Sequence, residues 1–228
     1  MSNYQTINNG LSEAMQSSFE EDMNGLETLE TNIYEMAFTS HAGTVYGYKL
    51  SPEDYYEIMN NTQAVTHWKV RFGYTKEEIN APIKLILFGS NVDNVQITPN
   101  YLLTRGYYEA VNMGCDIPNS IIGHDTGCEW LQKFINHTYA GVITKSAFLL
   151  PAGELLRGYT FDAEDFKSPV LELDELQEFY IAFVIHNETP VLSADKFGLL
   201  ICARGISQGL TETYSHFFDM ANTCPPDC

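Results

Sequence analysis

Residues 81–91 form an almost unbroken apolar run that carries Pro82 at its start, closes on Gly89, Ser90 and Asn91, and holds Lys84 as its only charge. An apolar run bounded in this way reads as a buried strand ended by a turn. Residues 179–185 have the same character and stop at His186, Asn187 and Glu188. Two such strands argue for a sheet at the heart of the fold, with the second run the expected partner of the first.

The flanking patterns supply the rest of the sheet. In residues 66–74, Trp68, Val70 and Phe72 fall on one face and Lys69 and Arg71 on the other, the alternation of a half-exposed strand. Residues 41–50 and 141–150 read as further strands, and residues 197–203 as the hairpin partner of 179–185 across a loop of about ten residues. Residues 97–113 suit either a helix or two short strands, residues 162–167 a loop, and residues 170–173 a short strand.

Helices are marked by their ends. Ser51, Pro52, Glu53 and Asp54 supply an N-cap, a proline at the first helical position and acids in the first turn, so a helix is expected over 52–60. Thr126 and Glu129 match a capping box ahead of Trp130, Leu131, Phe134 and Ile135, which predicts a helix over 127–137. Leu11, Met15, Phe19, Met23, Leu26, Leu29 or Glu30, Ile33 and Met36 recur at steps of mostly three or four, the stripe of an amphipathic helix over 11–37, with Asn24 and Gly25 a point of interruption.

The expected architecture is therefore α+β, a mostly antiparallel central sheet flanked by helices. Three regions are read along the chain: an acidic amphipathic helical arm at 1–40, an α+β domain at 41–212, and a tail at 213–228 that ends Cys224, Pro225, Pro226, Asp227, Cys228. Laying residues 83–103 over 180–200 aligns strand with strand, a pattern compatible with a duplicated unit.

Charge narrows the partners. Thirty acidic residues against 12 basic ones leave a formal charge of −18, and the first Lys or Arg is Lys49. Such a chain repels phosphate backbones and anionic headgroups, so neither nucleic acid nor a membrane surface is an expected partner. The N-terminus lacks a basic stretch followed by an apolar one, and a cytoplasmic location is expected. Five cysteines, Cys115, Cys128, Cys202, Cys224 and Cys228, do not resemble a disulfide framework.

Candidate chemistry concentrates around residues 123–129. If the capping box starts a helix, Cys128 sits in its first turn, where amides and dipole favour a thiolate. His124 is placed to act as its base and Asp125 to orient the imidazole, the parts of a thiol nucleophile. Against this, no signature of a catalytic cysteine surrounds Cys128, and a plain capped helix explains the same residues. Cys224 and Cys228 form a second candidate, as two ligands to a metal or as a tether between subunits. The six histidines are scattered, and phosphate-cradling glycine loops are missing, so no cofactor is expected. The functional expectation is a soluble, acidic, non-catalytic protein that interacts with another protein or with copies of itself; a small thiol-dependent enzyme using Cys128 and His124 is the alternative.

Overall fold

The computed structural model describes residues 2–60, 64–75, 82–110, 115, 122–189, 192–207, 212–215 and 222–223, with the backbone alone at 122–125, 187–189, 192–194, 212–214 and 222–223. In chain order the strands are β1 (Tyr4–Ile7), β2 (Thr39–Ser40), β3 (Gly43–Thr44), β4 (Gly47–Leu50), β5 (His67–Gly73), β6 (Lys84–Ser90), β7 (Asn100–Leu103), β8 (Gly106–Tyr107), β9 (Gly158–Asp162), β10 (Glu175–Thr189), β11 (Leu192–Ile206), β12 (Glu212–Tyr214) and β13 (Asn222–Thr223). The helices are α1 (Asn9–Gly25), α2 (Tyr34–Phe38), α3 (Pro52–Asn60), α4 (Ile122–Ala140) and α5 (Ala163–Leu171).

These strands build two antiparallel sheets. One runs β1-β7-β6-β5-β9-β13 and the other β12-β11-β10-β4-β8, with β2 and β3 a separate small ribbon. The fold is α+β. The apolar run on β6 lies between β5 and β7, in register Val70 with Leu87 and Ile86 with Leu102. Its expected partner, 179–185, belongs instead to β10 in the other sheet, paired with β11 and β4. Periodicity marks both runs as buried but carries no information on which strand each one pairs with.

The sheets are joined by aromatic rings. Phe72 of β5 stands 5.5 Å from Phe197 of β11, Phe148 stacks on Phe197 at 4.5 Å, and Phe38, Phe134 and Phe183 close the same cluster. At the other end Phe166 of α5 sits between Trp68 of β5 and Phe179 of β10. Two buried hydroxyls along this seam find backbone acceptors: Tyr48 donates to the Ile83 carbonyl at 2.8 Å and Tyr55 to that of Phe166 at 2.8 Å. Many of the chain's 13 Phe and 14 Tyr thus belong to one core, where ring pairs add to simple burial.

The first forty residues are part of that core. β1 pairs antiparallel with β7, and Asp54 on α3 holds the chain start by accepting from the Asn3 amide at 2.7 Å and the Ser2 hydroxyl at 2.8 Å. α1 begins where Asn8 Oδ1 caps the Leu11 amide at 2.8 Å, and it buries Met15, Phe19 and Met23 against the β5 side of the domain. Glu20 on its flank pairs with Arg157 at 2.9 Å. The single helix expected over 11–37 is two: α1 stops at Gly25, residues 28–31 make a turn, and residues 29–33 bond to 143–146 before α2 begins at Tyr34.

Two other segments differ from the sequence reading. Residues 141–150 form a short 3-10 turn, Lys145–Phe148, between isolated bridges rather than a strand. Residues 163–171, read as loop and strand, are α5, whose start is fixed by the Asp162 amide donating to Asp165 at 2.9 Å. The helix expected over 127–137 extends in both directions, to Ile122 and Ala140. No helix among the described residues is long and apolar enough to cross a membrane.

Candidate functional site

α4 carries the residues from which chemistry was expected. Cys128 is not in its first turn, because the helix begins at Ile122, so the amide-and-dipole argument for a thiolate at this position loses its geometric basis. Its sulfur is bonded to that of Cys115, with the two Cα atoms 5.5 Å apart. A cystine sulfur has no thiolate to attack with, and the thiol reading therefore requires prior reduction. The side chains of His124 and Asp125 lie outside the described residues, as do Cys224 and Cys228. Cys202, the remaining described cysteine, is fully buried on β11, and burial raises its thiol well above the ordinary range.

Further along α4 is a polar cluster that the sequence reading did not single out. Trp130, Lys133 and His137 fall on one stripe of the helix, which lies across β10. Asp195 on β11 receives both side chains: Lys133 Nζ at one carboxylate oxygen and His137 Nε2 at the other, 2.8 Å away. The opposite ring nitrogen of His137, Nδ1, is 2.9 Å from the Val142 carbonyl. Two acceptors thus face the two ring nitrogens and fix the orientation of the imidazole on the helix.

His186 on β10 completes the cluster. Its ring lies 5.1 Å from that of Trp130, and it is paired across the ladder with Lys196. Burial, then the charges of Lys133 and Lys196, push its pKa below the ordinary histidine range, so it stays neutral at pH 7. Gly198 makes the room: a Cβ there would stand 2.8 Å from His186 Cδ2 and 3.0 Å from Val184 Cγ2. Lys196 itself is held by the carbonyls of Ser146 and Leu149. Lys133 and His137 at a spacing of four were visible in the sequence, but their acid lies some sixty positions on, near the tip of a ribbon whose length no local pattern announces. Chemically, these groups neutralise one another and fasten α4 to the hairpin; the acid, the base and the ammonium are each committed to a partner.

A groove of about 420 Å³ opens elsewhere, between α1, β1 and β7, lined by Leu11, Ala14, Met15 and Leu102 with Gln5, Ser18, Tyr74 and Thr75. Its lining is mainly apolar and supplies no acid–base pair. Among the described residues no group of three or more His, Cys, Asp or Glu is gathered in a way that would hold a metal ion.

The exterior is more distinctive than any cavity. Among the described residues Arg105 is the only Lys or Arg in the exposed class. Lys69 and Arg71 are buried on β5, at 3% and 6% exposure, with Arg71 over the Phe88 ring. Others are drawn in by acids: Lys49 and Arg204 on Glu178, Lys133 on Asp195, Arg157 on Glu20. Lys145 reaches the Leu26 carbonyl at 3.1 Å. Meanwhile Glu13, Glu21, Asp22, Glu27, Glu30, Glu35, Glu53, Glu57, Glu109, Glu129, Glu154, Glu172, Asp174 and Glu175 are all exposed. The net charge of the chain is therefore displayed with little positive charge interspersed.

Comparison of the chain with protein-family models, with curated proteins and with solved structures finds no match.

Proposed function

We propose that this protein is a non-catalytic binding protein whose partner is a basic protein. The observation that supports this reading is the segregation of charge: among the described residues most cations are buried or half-buried and engaged, while most acids are exposed. A surface of one sign raises the encounter rate with oppositely charged partners and repels nucleic acid and anionic membranes. It also weighs between the two kinds of partner that the sequence left open. Two copies of a chain at −18 repel one another, and α1, the helix of the acidic arm, is seated on its own domain through Met15, Phe19 and Met23. A different, basic protein is the better fit.

The alternative, a thiol-dependent enzyme at Cys128, has less support, since that sulfur is engaged with Cys115. The pair also bears on location. A cystine persists in oxidising compartments, whereas in a reducing cytoplasm Cys115 and Cys128 would be two neighbouring thiols. The thiol state of the protein in its own cells distinguishes these locations.

Affinity capture from the protein's native cells, by wild type and by a variant with Glu27, Glu30 and Glu35 changed to Gln, tests the binding reading. The expected result is a basic protein enriched by wild type and depleted in the variant. Enrichment of acidic proteins only, or equal recovery by both baits, would contradict it.

A further inference from the structure

One stretch of the surface combines exposed apolar side chains with the acidic surroundings described above. Residues 28–34, between α1 and α2, run beside residues 141–146, which follow α4. The two segments are pinned by backbone bonds, Ile33 N to Ile143 O at 2.7 Å, Lys145 N to Thr31 O at 3.0 Å and Ser146 N to Leu29 O at 3.0 Å. Asn32 adds two more, donating from Nδ2 to the Gly141 carbonyl at 2.8 Å and accepting at Oδ1 from the Ile143 amide at 3.1 Å. The strip is thus a fixed platform built by two segments more than a hundred positions apart in the sequence.

Three large apolar residues stand out of this platform. Leu29 is 51% exposed, Val142 45%, and Tyr139, in the last turn of α4, 77%. Single exposed apolar residues are ordinary, but three brought onto one pinned strip mark an interaction surface. Its exposed charges are acidic: Glu30 on the strip, with Glu27 and Glu35 flanking it in the sequence. The lysine of the strip, Lys145, points its ammonium back at Leu26 O. An aromatic anchor with an acidic rim is complementary to a partner that offers apolar side chains framed by Lys or Arg.

We propose that this strip, centred on Tyr139, Val142 and Leu29, is the docking surface, and that its occupant is a basic amphipathic segment of the partner protein. The proposal rests on the binding reading above and adds a place to it. The apolar residues provide contact once the segment has arrived, and the glutamates select a positively charged one.

The test uses the full-length protein, isotopically labelled for amide shifts, and two synthetic peptides of equal positive charge. One alternates lysine and leucine on a helical pattern, and the other carries serine in place of leucine. Shifts concentrated at residues 27–35 and 139–146, with the leucine peptide binding at least tenfold more tightly than its serine counterpart, are the expected result. The triple variant Leu29→Ser, Tyr139→Ser, Val142→Ser touches exposed positions only, and it should keep the amide spectrum of the core while losing about tenfold in affinity. Binding of the leucine peptide at another face, such as that of Glu172, Asp174 and Glu175, or an unchanged affinity in the triple variant, would overturn the docking surface and leave the binding reading standing. Failure of both peptides to bind at low salt would overturn both.

Discussion

Arg204 on β11 donates from Nη2 to Glu178 Oε2 on β10 at 2.6 Å, and Lys49, on the strand flanking β10 from the other side, closes on the same carboxylate. Three strands of one sheet are thereby tied at a single acid, which also receives the Tyr180 hydroxyl. Burial by itself would raise the Glu178 carboxyl. The hydrogen bonds from Lys49 and Tyr180 and the charges of Lys49 and Arg204 outweigh it and hold the group below the ordinary glutamate value.

Glu178→Gln should therefore destabilise the fold by about 1–3 kcal/mol at neutral pH, the cost of leaving two cations with one weaker partner. The folded-state pKa is depressed, so the stabilisation is fully present above the unfolded value near 4.5 and is lost as pH falls through the lower folded value. Denaturant unfolding of wild type and variant at pH 7 and at successive acid steps should show the gap between them narrowing below about pH 4.5. A gap that stays constant with pH would show that charge is not its source.

His186 is coupled to pH in the same direction, but in a higher window and through a neutral rather than a charged native form. Its pKa is lowered by burial first and by Lys133 and Lys196 next, while Asp195 and His137 lie in the same cluster with Trp130 against the ring. The unfolded chain takes up the proton before the folded one, so stability should decline as pH drops below about 6.5. Replacing His186 with Leu keeps an apolar contact for Trp130 and should flatten the change in urea midpoint between pH 7.5 and pH 5.5. Identical slopes for the two proteins would remove His186 from the account.

Gly158 occupies φ +155°, and a Cβ there would stand 2.0 Å from the Val70 carbonyl and 3.0 Å from Arg71 Cα. Both obstacles are backbone and cannot swing aside. Gly158→Ala should cost about 2–4 kcal/mol and lower the melting temperature by roughly 5–15 °C, because it separates β9 from β5 at the end of their ladder. A calorimetric melt within a degree or two of wild type would contradict this.

The Cys115–Cys128 bond, across 13 positions, ties α4 to a residue upstream of it. Changing both residues to Ser should lower stability by about 2–3 kcal/mol in non-reducing buffer and leave it unaffected by dithiothreitol, whereas wild type should fall to the same level on reduction. Rapid alkylation of Cys128 in the untreated protein would instead favour the thiol reading.

How far the sequence revealed the molecule varies with the range of the interaction. β5 was legible in full, since Trp68, Val70 and Phe72 alternate with Lys69 and Arg71, yet that alternation implied half exposure and the two cations are buried. Burial on both faces depends on what lies over a sheet, which alternation does not record. The start of α3 at Pro52 was equally plain because capping is local. By contrast, the helix over 11–37 divides because residues 28–34 find hydrogen-bond partners at 141–146, more than a hundred positions away. The cystine was hidden for a related reason: five cysteines of any spacing leave the pairing open, and an odd count argued against it. At the candidate surface, the excess of acids could be read directly, but which cations turn inward rests on Glu178, Asp195 and Glu20, each paired far along the chain.

The central claim, that the exposed acids recruit a basic partner, is tested most directly by the association rate constant for that partner, purified by affinity capture, as a function of ionic strength. Charge steering should make the rate fall at least tenfold between about 20 and 300 mM salt, with the dissociation rate changing far less. The fall should be shallower for the variant lacking Glu27, Glu30 and Glu35. An association rate that is indifferent to salt, or identical in the two proteins, would contradict the account.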